Sequence, residues 1–458
     1  MRQMDKKPLD FYNLAWRWHF YAGLFVAPFM ILLALTGIIY LFKPQLDQLM
    51  YHDLLRVPPG ATALGADQQM ERLRASYPQL EISKYLPPSA PDRSAQFVGV
   101  HAGREVNLYL DPYSGKLLGS QDARDNLQAI ARALHGELMI GTVGDRLVEL
   151  AAGWGIVLVV SGVYLWWPRG RAGRGILLPR LGQRGRPLWR ELHAVLGFWG
   201  SLLLLFMLLS GMTWTGYWGK SFADVWNRFP AAMWNEVPKS TALTGELNEA
   251  HRQMVPWAVE NTPMPASGGH AEHMGHAAGG VANPQIGLQQ VVELAESRGV
   301  APGYAIALPK GAEGVYTVSV FADDPHQDAT LHVDQYSGQV LADIRWQDYG
   351  AVAKSVEMGV SLHEGKMFGL ANQLLMLAVC LMIMFSAASG IVIWWKRRPK
   401  GRIGVPPLPH ALPVWKGGVV IVIALGIAFP LVGLSLLLVW GFDWLVLSRF
   451  VRSRPALG

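Results

Sequence analysis

WRWHFYAGLF at residues 16–25 and WRELHAVLGFWG at residues 189–200 are two copies of one pattern. At an offset of 174 residues His19 falls on His193, Gly23 on Gly197 and Thr36-Gly37 on Ser210-Gly211. A second pair, ALHGELMIG at 133–141 and SLHEGKMFG at 361–369, sets His135 on His363. The same offset of 228 sets Ser161-Gly162 on Ser389-Gly390 and Trp166-Trp167 on Trp394-Trp395. Between these lies a third echo, LYLDPYSGKLLG at 108–119 against LHVDQYSGQVLAD at 331–343. Self-similarity at fixed offsets marks a repeated structural unit.

Outward from these copies the chain is apolar. Of 458 residues 51% are hydrophobic and 16% charged, with a net charge of +6, against roughly 25% charged in an average soluble domain. That composition excludes disorder and argues against a nucleic-acid partner. A single cysteine, Cys380, excludes internal disulfides, Cys-ligated zinc or iron–sulfur sites and haem attached through C-x-x-C-H. Five apolar stretches, 20–42, 147–167, 192–214, 374–395 and 418–440, are long enough to cross a bilayer, which needs roughly 20 residues. Tryptophans such as Trp16, Trp18, Trp189, Trp415 and Trp440 cluster at their ends as an interfacial belt.

Charge sets the expected orientation. The connector 168–190 carries seven arginines and no acid, and 396–416 carries six basic residues and no acid. The long segments 43–134 and 216–362 are balanced and acidic. The positive-inside rule puts the N-terminus and both basic loops in the cytoplasm and both long segments outside. The N-terminal stretch reads as a retained span with no small-residue cleavage site. The fifth span is less regular: it contains Pro430, and the arginines after it disfavour the outer side to which counting sends the tail.

The fold class expected is a polytopic α-helical membrane protein. A span–module–span unit is duplicated, one extra C-terminal helix follows, and the two modules are small periplasmic α+β domains. The expected parts are a first span (1–42), module 1 (43–134), a lead-in with the second span (135–167), a basic loop (168–190) and a third span (191–216). Module 2 with a His-rich loop (217–362), a lead-in with the fourth span (363–395), a second basic loop (396–416), a fifth span (417–441) and a tail (442–458) complete the chain. Helices are expected over 67–76 and 287–298, and strands near 97–101, 106–110, 304–308, 316–321 and 330–333. The Asp-x-Tyr-Ser-Gly segments read as hairpin turns.

Two units running in the same direction can be related by an axis along the membrane normal, so matching residues face each other across it. His19 and His193 then form a pair on the cytoplasmic side, and His135 and His363 a pair on the outer side. Paired neutral imidazoles between apolar walls are what a six-coordinate b-type haem requires. Gly23 and Gly197, one turn away, remove bulk where a flat macrocycle must approach backbone. Two haems would therefore serve as cofactors, with these four histidines as iron ligands. His135, however, lies 12 residues before the expected span, about 18 Å along a straight helix. That would lift the outer haem clear of the membrane. His270, His273 and His276, in GGHAEHMGHAAGG, form a possible surface metal site. No flavin or nucleotide motif is present, and span centres carry no ionisable group of the kind that ion-coupled transport uses.

These motifs together resemble the PepSY-associated transmembrane helix family, of the iron-regulated inner-membrane protein and ferric-siderophore reductase type. The resemblance rests on Leu192-His193 with Gly197, His19 with Gly23, Leu134-His135, Leu362-His363, the Ser-Gly and Trp-Trp span ends and the Asp-x-Tyr-Ser-Gly hairpins. It implies a membrane oxidoreductase with two haems on the four matching histidines. Electrons would pass from membrane quinol or a cytoplasmic flavoprotein to a periplasmic ferric siderophore or other ferric chelate, releasing Fe(II). Two alternatives stay open: a membrane-anchored binding or regulatory protein acting on a periplasmic partner, and a periplasmic metal-handling protein.

Overall fold

The computed structural model describes residues 7–168, 176–227, 237–248, 253–268, 285–399 and 416–442. The chain divides into a helical unit (1–38, 134–220 and 377–458) and a sheet unit (39–133 and 221–376).

Among the described residues four helices are long and apolar enough to cross a membrane: α1 (Lys7–Leu41), α6 (Thr142–Trp166), α7 (Arg186–Met212) and α11 (Leu370–Arg397). In the helical unit Val26 and Met30 of α1, Ala152 and Ile156 of α6 and Leu208 and Met212 of α7 share one buried cluster. Small residues let these backbones close. A Cβ at Gly155 would sit 3.1 Å from Leu208, and one at Gly200 would collide with Met382.

The single fifth span expected over 418–440 is instead two helices, α12 (Lys416–Ala428) and α13 (Pro430–Phe442). Pro430 has no N–H to continue the ladder, and its ring clashes with the preceding turn. The chain then folds back. A Cβ on Gly433 would lie 2.6 Å from the Cα of Gly426, whereas residues seven apart in a straight helix are about 10.5 Å apart. Within the described residues each helix has 13 residues, and the turn at Pro430 breaks the single straight helix expected there. The hairpin is held on α6 by Trp154, whose indole donates to Ser435 Oγ at 3.1 Å, and Val432 packs over Gly153.

The sheet unit begins with two short helices, α2 (Lys43–Met50) and α3 (His52–Leu55). Helix α4 (Ala66–Ser76) precedes strands β1 (Glu81–Leu86), β2 (Ala95–His101), β3 (Arg104–Leu110) and β4 (Leu117–Asp122), and α5 (Leu127–Glu137) follows them. After α8 (Trp218–Trp226) and a small ribbon of β5 (Lys239–Leu243) and β6 (Pro263–Pro265), α9 (Leu288–Ser297) leads into β7 (Ala305–Ala307), β8 (Val315–Val320), β9 (Ala329–Asp334) and β10 (Val340–Arg345). Helix α10 (Ala351–His363) then leads to α11. The helices and strands expected from the sequence appear, but β1, β4 and β10 had no clear alternating signal.

The two modules are not separate sheets. All eight large strands form one antiparallel sheet, β10-β9-β8-β7-β1-β2-β3-β4, joined where Tyr85 pairs with Ile306. Strands β8 and β9 are buried at every position although polar residues recur along both, and these satisfy one another: Thr317 bonds His332 at 2.9 Å and Ser319 bonds Thr330 at 3.1 Å. Leu73 and Val291 from α4 and α9 pack with Phe97, Leu108, Ile306 and Leu331 in one core. The helices cap each other: Asp67 accepts from the backbone N–H of Leu288 at 2.7 Å and Gln289 at 3.1 Å, while Gln289 accepts from that of Ala66 at 2.8 Å. Each such cap contributes about 1 kcal/mol. Both Asp-x-Tyr-Ser-Gly segments form turns, Asp111 accepting from the Tyr113 N–H and Asp334 from the Tyr336 N–H, both at 2.9 Å. Gly115 (φ 71°) and Gly338 (φ 70°) supply the left-handed residue each turn needs.

Candidate functional site

The inner pair forms as the repeat predicts. His19 on α1 and His193 on α7 face each other with ring centres 6.4 Å apart and ring planes at 80°. Each ring is held from behind by another helix. His19 Nδ1 bonds Ser161 Oγ on α6 at 2.9 Å, and His193 Nδ1 bonds Ser389 Oγ on α11 at 3.0 Å.

Those bonds fix which nitrogen carries the proton. Ser161 Oγ–H donates to the Leu158 carbonyl at 3.2 Å and Ser389 Oγ–H to the Ser386 carbonyl at 3.0 Å, the usual back-bond of a mid-helix serine. With its proton so used, each hydroxyl accepts from the imidazole. His193 Nδ1 also lies 3.1 Å from the Ser386 carbonyl, which can only accept. Nδ1 is therefore the N–H in both rings, and in a neutral imidazole Nε2 is left with its lone pair. A hydrogen bond at the far nitrogen is the usual device for orienting a metal-binding histidine.

The glycine after each serine lies against the ring, more tightly at Gly162 than at Gly390. A Cβ at Gly162 would lie 3.2 Å from His19 Cε1, and one at Gly390 3.6 Å from His193 Cε1. Gly23 and Gly197 touch neither ring: a Cβ at Gly23 would meet only Leu158 at 3.8 Å, and one at Gly197 nothing within 4 Å. Open space at Gly197 is compatible with the expected clearance. The glycines that seat the histidines are nevertheless Gly162 and Gly390. Sequence alignment brought out the Ser-Gly pairs of both copies without giving them a role, and their recurrence beside the histidines was the available signal.

His135 answers the depth problem. Helix α5 ends at Glu137, Leu138 (φ 52°), Met139 (φ 56°) and Gly141 (φ 62°) turn the chain, and α6 starts at Thr142. Left-handed backbone at two non-glycine residues costs about 1–3 kcal/mol each, so the surroundings hold this turn. The lead-in is thus not a straight extension of the span. His135 Nδ1 bonds Thr36 Oγ1 on α1 at 3.0 Å, and Thr36 in turn donates to the Leu32 carbonyl at 2.9 Å. A Cβ at Gly37 would lie 3.6 Å from His135 Cε1. The hydroxyl–glycine seat seen at the inner pair recurs here. Thr36 is 17 residues along α1 from His19, about 26 Å of helix. His363 closes α10 in the sheet unit, and Gly365 (φ 74°) and Gly369 (φ 57°) turn the chain before α11.

On the basic connector, Arg180 is already engaged. Its backbone N–H and guanidinium both bond buried Glu191. The indoles of Trp166 and Trp199 take the carbonyls of Ile176 and Leu177, both at 2.9 Å. Near the other end of α6, buried Glu149 accepts from the N–H groups of Tyr217 and Trp218 at 3.0 and 3.2 Å. It is a structural cap for the turn after α7. The possible surface site of His270, His273 and His276 lies outside the described residues. Among those described, no group of three or more His, Cys, Asp or Glu gathers to hold a metal ion.

A comparison with curated proteins found no match. The family model for the PepSY-associated TM region matches residues 16–397, a span that runs from the first histidine-bearing helix to the end of α11. The chain therefore belongs to the PepSY-associated transmembrane family.

Proposed function

We propose that this protein is a di-haem b-type electron carrier of the bacterial inner membrane that reduces a periplasmic ferric complex. A ferric siderophore is the first candidate, and reduction to Fe(II) releases the metal. The observation that carries the reading is the His19–His193 pair. A metal ion held by both rings would form bonds of about 2 Å to each, which would require the ring centres to stand several ångström apart. The observed separation is 6.4 Å. Donor chemistry agrees: both Nδ1 atoms are occupied by hydroxyls and both Nε2 atoms remain to bind. Iron held between two imidazoles accepts and passes on single electrons without exchanging a ligand.

The chain's own part is to hold the rings. Ser161 and Ser389 fix tautomer and orientation, Gly162 and Gly390 set the approach, and apolar helices exclude water. His135 and His363, with two periplasmic modules and a duplicated span–module–span layout, complete the proposal on the outer side. Supporting the duplication, a helix followed by four strands occurs twice within the sheet. Supporting a second haem, His135 is seated by Thr36-Gly37 as the inner histidines are by Ser-Gly. Electrons are proposed to enter from quinol or a cytoplasmic flavoprotein, and Arg180 is not a docking contact because Glu191 holds it.

The test is an absorption spectrum of full-length protein purified from cells supplied with haem precursor. A low-spin bis-imidazole spectrum that sharpens on dithionite reduction, followed by reoxidation with a ferric siderophore, is expected. Colourless protein removes the redox reading.

A further inference from the structure

The sheet unit contains a cavity of about 360 Å³ that the electron-transfer reading does not use. Gln96 of β2, Tyr109 of β3 and Gln121 of β4 line it from the sheet, and Gln128 and Arg132 from α5. The last two are four apart, so they share one helix face.

Much of its polar lining is already partnered. Lys43 pairs with Asp47 at 2.5 Å, Lys366 with Glu364 at 2.5 Å, and the Tyr109 hydroxyl donates to Gln121 at 3.2 Å. Three groups are not. Gln128 is 4% exposed, and neither its amide oxygen nor its amide nitrogen has a partner. The Gln96 amide nitrogen has none either. Arg132 feels Glu260 and Glu364 at longer range, but among the described residues it makes no hydrogen bond or ion pair. Leaving a buried amide unpaired is costly, so a cavity with two such amides beside an uncommitted guanidinium is built to receive something.

We infer that this cavity binds a small hydroxycarboxylate. Arg132 presents a planar fork of donors that matches a carboxylate. Gln96 and Gln128 supply both donors and an acceptor, which suits a hydroxyl group as well as a second carboxylate oxygen. Lys43 and Lys366 are offset by Asp47 and Glu364, which line the same cavity, so Arg132 carries its net positive charge. A guanidinium that makes no hydrogen bond or ion pair among the described residues, beside neutral amides, fits a carboxylate better than a phosphate dianion. The volume lies at the small-molecule end of ligand sites.

Isothermal titration of full-length protein in detergent tests this, with citrate as probe and with propane-1,2,3-tricarboxylate, which lacks the hydroxyl. Citrate should bind saturably and more tightly than the hydroxyl-free acid. Arg132→Gln and Gln128→Leu should each weaken it about tenfold or more. Arg132→Lys, which keeps the charge but loses the fork, should also weaken it and serves if Arg132→Gln does not fold. Absence of saturable citrate binding, equal affinity for the two acids, or wild-type affinity in a folded Arg132 variant overturns the proposal. Because binding and not reduction is read, the result stands apart from the haem reading.

Discussion

His332 in the sheet and the His19–His193 pair in the helices are the same object locally and different objects in context. His332, on β9, is fully buried, and its Nδ1 bonds Thr317 Oγ1 at 2.9 Å while its Nε2 has no partner. Burial lowers its pKa to about 4, so it is neutral. His19 likewise bonds a hydroxyl through Nδ1, that of Ser161 at 2.9 Å. Two differences separate them. Ser161 uses its own proton on the Leu158 carbonyl and so leaves His19 to donate. And His19 faces a second imidazole at 6.4 Å, whereas His332 lies between β8 and β10 in a closed core. A buried, oriented imidazole is therefore a common structural element, and the facing partner makes it a candidate iron ligand.

The comparison breaks most visibly by mutation. His193→Ala should remove about half the haem from purified protein, read by a pyridine haemochrome assay, while His332→Ala should leave the haem-to-protein ratio unchanged. Loss of all haem from His193→Ala, or equal losses from both variants, would show that the pair is not a site of its own. A smaller effect is expected one bond further out. Ser161→Ala and Ser389→Ala keep the ligands but release the tautomer, and losing such support typically costs about 10- to 100-fold in affinity. Haem off-rates to an apo-myoglobin trap measure it; wild-type retention in the double variant would sink the seating role.

The smallest effect concerns the sheet unit's own buried groups. Burial, then the nearby charge of Asp324, pushes Asp328 up from 3.8 to about 8, and burial raises buried Glu357 in the same direction. A carboxyl whose folded pKa lies above its unfolded value binds more protons when folded. Its stabilising contribution is full below about pH 4 and is lost as pH rises through about 8. The melting temperature in detergent should therefore fall between pH 5 and pH 8.5, and Asp328→Asn should reduce the drop by about 3 °C. An unchanged drop would mean that another group controls it.

Much of this was legible in one dimension. Hydropathy determined the four long spans, because about 20 apolar residues have no other low-energy home. The repeat aligned His19 with His193, because duplicated helices keep their facing positions. The hairpin turns followed from Asp-x-Tyr-Ser-Gly, a short-range code in which the aspartate binds its own turn. Tertiary contacts decided the rest. Pro430 was visible, but whether a proline kinks a span or ends it depends on what the next helix packs against, here Gly426 and Gly153. The joining of β1 to β7 links residues more than 200 positions apart, and no local propensity encodes that register. Most of all, Ser161, Ser389 and Thr36 are ordinary helix hydroxyls until a distant imidazole arrives beside them. Periodicity reports which face of a helix is buried; only packing between helices decides which ring each hydroxyl meets.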